Sequence, residues 1–139
     1  MSYETERLAI RTAFKTAWEA GSDLPVQWFN IDFDPPADGS PYIAFSVLRG
    51  QSGQSGMLSA TQARFRHPGV VQIDVVIGKG KGSRIALELV DEIAAIFRGQ
   101  NVSGIIFRAP DVSQILEPEV SRVRFIVSIP FHRDETFII

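Results

Sequence analysis

The stretch "VVIGKGKGSRIALELVDEIAAIFRG", residues 75–99, joins the two periodicities on which the chain is built. Upstream of it and into it, Val71, Ile73, Val75 and Ile77 face one way, and Gln72 and Asp74 the other. That alternation is a strand with one covered face. Downstream, Ile85/Ala86, Leu89/Val90, Ile93 and Ile96/Phe97 recur at helical spacing, with Glu88, Asp91 and Glu92 opposite. This predicts an amphipathic helix over residues 83–98, capped by Ser83 and ended by Gly99. Between strand and helix stand Gly78, Gly80 and Gly82, the outline of a phosphate cradle.

The cradle does not survive comparison with what phosphate binding needs. A Walker loop requires Gly-Lys followed by Ser or Thr, so that backbone N–H groups and the lysine wrap the phosphates. Here Gly80-Lys81 is followed by another glycine. A dinucleotide fingerprint needs a third glycine where Ser83 stands, and a parallel βαβ setting. The alternating strands argue for antiparallel pairing instead. The glycines therefore read as a flexible, basic strand-to-helix turn, with Lys79 and Lys81 as candidate contacts to a protein or to DNA; the alternative is a small ligand-binding or enzymatic domain that uses the Gly78–Gly82 turn.

Working outward, residues 2–20 form a second helix. Ser2 is its N-cap, Glu4 and Glu6 sit where the helix dipole favours them, and Ile10, Phe14, Ala17 and Trp18 make the buried stripe. Gly21 is the stop. "LPVQWFNIDF" carries a short strand, and "YIAFSVLRG" alternates with Ile43, Phe45 and Val47 inward. Residues 50–60, "GQSGQSGMLSA", read as a small polar loop or hairpin tip. Residues 61–67 and 70–77 read as strand interrupted at "HPG", where Pro68 cannot donate to a ladder and marks an edge, a bulge or a bend. "GIIFRAP" and "VSQIL" are short strands. "SRVRFIVSIPF" alternates with Val123, Phe125, Val127, Ile129 and Phe131 inward. The expected fold is α+β, two amphipathic helices packed on one face of a mostly antiparallel β-sheet, in a single domain over residues 1–139.

Composition narrows the function classes. The chain has 139 residues, 45% hydrophobic and 22% charged, with a formal net charge of −2. That is an ordinary globular composition. Having no cysteine, it has no disulfide, thiol nucleophile or thiolate metal site. No apolar run is long enough for a membrane span. The acidic N-terminus lacks the apolar core of a signal peptide. The two histidines, His67 and His132, fall on separate elements and read as surface or rim residues. No metal site, cofactor site or catalytic triad is expected. Arg64 and Arg66 alternate on one strand and Arg122 and Arg124 on another, all opposite the core residues. They are either an exposed face paired to Asp74 and solvent, or a contact surface. The chain ends in Phe137, Ile138 and Ile139, an apolar tail that must pack on its own domain or on a neighbour.

"FRHPGVVQIDVVIGKGKGSRIALELVDEIAAIFRG" (65–99), "GIIFRAP" (104–110) and "VRFIVSIPFHRDE" (123–135) together resemble the tail terminator-like proteins of long-tailed bacteriophages and prophages. "MSYETERLAIRTAFKTAW" (1–18) and "FDPPADGSPYIAFSVLRG" (33–50) fit as well, so the resemblance spans nearly the whole chain. It implies a structural protein of the virion tail-neck region, assembled in the host cytoplasm, without enzymatic activity. It further implies a homo-oligomer, a hexameric ring docked on the tail tube in the assembled tail, with the free protein either oligomeric or monomeric; the alternative is another neck or tail-tube protein of the same fold. The ring stops tube polymerisation, meets the head–tail connector protein and lets genomic DNA pass. The expected functional surfaces are interfaces: Arg49, Gln51, Gln54, Met57 and Leu58 as one contact loop, Lys79 and Lys81, the arginine pairs, and Phe137 with Ile138 in a tail over residues 132–139.

Overall fold

In the computed structural model, residues 1–22, 24–36, 40–78, 80, 84–117 and 122–138 are described, without the side chains of 114–117. The chain runs α1 (Tyr3–Gly21), β1 (Val26–Trp28), β2 (Tyr42–Arg49), β3 (Gly53–Ser59), β4 (Gln62–Gly78), α2 (Arg84–Phe97), β5 (Asn101–Val102), β6 (Ile105–Phe107), β7 (Asp111–Glu117) and β8 (Arg122–Ile138). The fold is α+β, with two helices on a mostly antiparallel eight-stranded sheet. Among the described residues the short β1 alone pairs in parallel, with β2.

α1 begins where Ser2 Oγ accepts the Thr5 backbone N–H at 3.0 Å. Ile10, Phe14 and Trp18, one turn apart, are buried, whereas Ala17 faces solvent. Glu6 lies one turn before Ile10 on the same row and is fully buried, not a solvated first-turn acid. Gly21 is the last helical residue, and Ser22 closes the helix with its N–H on the Trp18 carbonyl at 2.8 Å. In α2 the buried row is Ala86, Val90, Ile93, Ala94 and Phe97. Ile85, expected in the stripe, is 58% exposed because that row is centred on the opposite side of the helix. Gly99 takes φ +67°, a left-handed stop that glycine adopts without penalty. Ser83, expected as the cap, lies outside the described residues.

The sheet is organised by two 17-residue strands, β4 and β8, paired along their full length from Gln62↔Ile138 to Gly78↔Arg122. On its outer side β4 pairs first with β3 through residues 62–66, then with β2 through residues 69–76. β8 pairs first with β7 through residues 122–128, then with β6 through residues 131 and 132. Pro68 and Pro130 sit where each long strand changes its outer partner. A strand residue aims its N–H and C=O the same way, so the carbonyl tells where the missing donor would point. The Pro68 carbonyl accepts from Gly50 N–H at 3.0 Å, and the Pro130 carbonyl from Arg108 N–H at 2.8 Å. Both prolines therefore face the gap between two flanking strands, where no ladder bond is lost. β4 is therefore continuous where an interruption at "HPG" was expected, and of the edge, bulge or bend open to Pro68 it is the edge-like position that the strand uses, its imino nitrogen facing that gap.

The core lies between the helices and the odd-numbered face of β4 and β8. Phe14 is its centre, with ring centroids 5.1 Å from Phe45, 5.6 Å from Trp18 and 6.1 Å from Phe97. The far face is not bare. Phe33 packs on Tyr42 at 5.2 Å, and the Arg122 guanidinium lies over the Tyr42 ring at 5.5 Å. Opposite Phe131, Gly69 leaves no room for a side chain: a Cβ there would stand 2.4 Å from Phe131 Cζ and 2.8 Å from the Leu48 carbonyl oxygen.

Lengths explain the remaining shape. A 17-residue strand extends roughly 55 Å, while helices of 19 and 14 residues reach only about 28 and 21 Å. The helices cannot cover the whole ladder. The uncovered end is a three-stranded arm made of β3, the start of β4 and the end of β8. This corrects two readings. Gly53–Ser59 is a paired strand, so only its junction to β4 at Ala60–Thr61 is a tip. Residues 132–138 are the end of β8, not a tail.

Candidate functional site

The arm collects most of the residues singled out as contacts. All seven residues of β3 are exposed. Gln54 Nε2 donates to Met57 Sδ at 2.9 Å, and Met57 stands opposite Ala63. On the same face Phe65 meets Phe137 edge-to-face at 5.5 Å, while Ile138, on the other face, is 82% exposed. Met57 and Leu58 are about half exposed. Ile139 lies outside the described residues.

The arginines lie at the two ends of the ladder. The four arginines do share the even-numbered face, but antiparallel register puts Arg64 and Arg66 on the arm and Arg122 and Arg124 at the other end. Arg66 grips Asp134, its direct cross-strand partner, by two hydrogen bonds of 2.9 and 3.1 Å. Arg124 pairs with Asp74 at 2.7 Å, the partner that strand alternation suggested. The Asp134 carboxyl is held below the usual range by the Arg66 hydrogen bond, against the opposing effect of burial. Burial, then the charges of Arg66 and Arg108, push His132 down from the ordinary histidine value. His132 lines a cavity of about 360 Å³ with Arg66, Arg108, Pro68 and Gly69.

Arg49 leaves the loop set with which it was grouped. Its Nε lies 3.0 Å from Glu6 Oε1, and its guanidinium covers the Tyr3 ring at 5.6 Å. Arg133, from β8, binds Glu6 Oε2 from the other side, also bonds Glu135, and lies 5.2 Å from the same Tyr3 ring. The Met1 ammonium joins Glu135 at 3.3 Å. Burial pushes the Glu135 carboxyl up, but hydrogen bonds from Arg133 and the N-terminus outweigh it and hold it below the usual range. The arm's root is fastened by Tyr3 Oη, 2.9 Å from Ser52 Oγ, and by His67 Nδ1, 2.7 Å from the same hydroxyl. His67 is thus a structural rim residue. Gln51 is an exposed link before Ser52. Lys79 and Lys81 lie outside the described residues, and of the glycine turn only Gly78 and Gly80, at φ +85°, fall within them.

Two features had gone unread in the sequence. One is the buried Glu6–Arg133 pair. The other is a groove of about 510 Å³ between α1 and the β1–β2 edge, floored by Trp28, Phe45 and Val47. Among the described residues no cluster of three or more His, Asp or Glu side chains is arranged to hold a metal ion.

A family model described as phage tail terminator protein matches residues 7–131. The chain belongs to the phage tail terminator family. Its members are structural proteins, so this terminator-family chain has a structural role in the phage tail, as a virion component assembled with other tail proteins. Thirteen chains of solved structures match it. One of them is 25% identical, aligns over 96% of both chains and has a TM-score of 0.63, which carries the fold along nearly the full length. No functionally curated protein matches the chain.

Proposed function

We propose that the protein closes into a ring, hexameric in the assembled tail, that caps the tail tube. Capping ends tube polymerisation and leaves a second face for the head–tail connector protein, with genomic DNA passing through the centre. The observation that carries this reading is the arm: an ordered ladder that extends past the helices and holds Met57, Leu58, Phe137 and Ile138 in solvent. Isolated exposed apolar side chains are common, but four on one projection mark a contact surface. In this reading the arm, with Gln51, Gln54, Arg64 and Arg66, meets the tube or the neighbouring subunit. Arg122, Arg124, Lys79 and Lys81 face another partner or the DNA, and Arg49 acts by holding α1 to the arm's root. The ring is assembled in the host cytoplasm, and the protein works without catalysis.

The experiment is tube assembly in the presence of the purified protein, with lengths measured by electron microscopy. A terminator arrests growth at substoichiometric amounts. A tube or other neck protein of similar fold adds to tubes, or ignores them, without arresting them, and that outcome overturns the reading.

A further inference from the structure

We propose that the groove between α1 and the β1–β2 edge receives the outer face of α2 from a second copy of this chain. This rests on the ring reading and names the two surfaces that form it. The groove has an apolar floor and one basic wall. Arg7 and Arg11, one turn apart on α1, and Arg49 of β2 line that wall. On the far lip Phe29 is 71% and Ile31 53% exposed. Arg7 is engaged by Glu4 at the surface and Arg49 by Glu6. Arg11 has no carboxylate among the described residues: its guanidinium lies 4.6 Å over Trp28, and its Nε is buried without an acceptor. An occupant with apolar and anionic groups side by side fits such a groove.

Charge selects the occupant within this chain. The arm has apolar side chains, but Arg64 beside them would bring a cation against a basic wall, and the arm's Asp134 is already taken up by Arg66. The outer face of α2 has the required sign. Glu88, Asp91 and Glu92 form its centre, and Asp91 and Glu92 have no ion pair among the described residues. Exposed Ile85 and Leu87 flank them. Laid in the groove, the helix sets its carboxylates against Arg7 and Arg11 and an aliphatic flank against Phe29 and Ile31, a helix-in-groove contact. The groove lies at the β1–β2 edge and α2 over β4 and β8, so one copy can use both surfaces at once. Two different surfaces meeting head to tail make a heterologous contact, the kind that closes into a ring.

The chain has no cysteine, which permits a direct test. Phe29→Cys and Glu92→Cys proteins, mixed and oxidised, should form heterodisulfide dimers well above those of Phe29→Cys mixed with Thr136→Cys. In sedimentation velocity, Arg7→Glu/Arg11→Glu should weaken self-association about tenfold, and Asp91→Arg/Glu92→Arg likewise. Combining all four changes in one chain should restore most of it, a recovery that misfolding cannot mimic. Heterodisulfides no better than the control, association indifferent to these reversals, or a wild type monomeric up to millimolar concentration each overturn the pairing. If wild type still arrests tubes in those cases, the capping function stands and only the named surfaces fall.

Discussion

Glu6 of α1 and Arg133 of β8, 127 residues apart in sequence, form an ion pair with both side chains almost entirely out of water. The pair fastens the first helix to the last strand beneath the arm. Removing Glu6 leaves Arg133 with Glu135 alone, and removing Arg133 leaves Glu6 with Arg49 alone, so the loss approaches but does not exceed the cost of a wholly unpaired buried charge, about 3–5 kcal/mol. Glu6→Leu and Arg133→Met should each lower stability by that order in chemical denaturation. The double variant should be closer to wild type than the sum of the two, because the charges that remain are less deeply buried: Arg49 reaches solvent and Glu135 keeps the Met1 ammonium. Strict additivity would show that the pair is not a coupled unit.

Gly69→Ala should destabilise by about 1–3 kcal/mol, the usual cost of forcing atoms into a filled site. The new methyl meets the Phe131 ring and the Leu48 carbonyl. Adding Phe131→Leu should recover only part of the loss, because the backbone oxygen stays in place. An unchanged unfolding midpoint for Gly69→Ala would refute the close approach.

Acid should weaken the fold in two stages. His132 has a folded-state proton affinity below its unfolded one, so the unfolded chain binds the extra proton first. Stability then rises with pH and begins to fall below about pH 6.5, where the unfolded histidine charges. Asp134 and Glu135 are also depressed in the folded state. Their contribution is present above the unfolded carboxylate range and disappears as pH drops below about 4. Thermal unfolding across pH should show His132→Gln flattening the upper stage and Asp134→Asn the lower one.

Arm substitutions should separate folding from function. Met57→Ser and Ile138→Ser alter exposed side chains, so stability should stay within about 0.5 kcal/mol of wild type. Tube capping should nevertheless decline, with longer tails by electron microscopy. Normal tail lengths with both substitutions together would remove the arm from the contact surface.

The sequence by itself determined the layers and the family. The alternation around Ile73 and Val127 and the helical stripes around Ile10 and Ile93 needed only local spacing, since each periodicity is fixed by the geometry of its own element. Even the buried ion pair left a trace: Glu6 extends the row of Ile10, Phe14 and Trp18, and Arg133 extends the alternation of Val127, Ile129 and Phe131. What that trace lacked was the partner, because a core-facing charge is intelligible only once the opposing element is known. The tertiary structure alone decided that β4 runs unbroken through Pro68, since which way a missing N–H points depends on the neighbouring strands. It alone turned residues 53–59 and 132–138 into one arm, because a ladder's stability comes from pairs between segments distant in sequence. It alone made the groove, whose basic wall joins α1 to Arg49 of β2 and whose floor comes from β1 and β2.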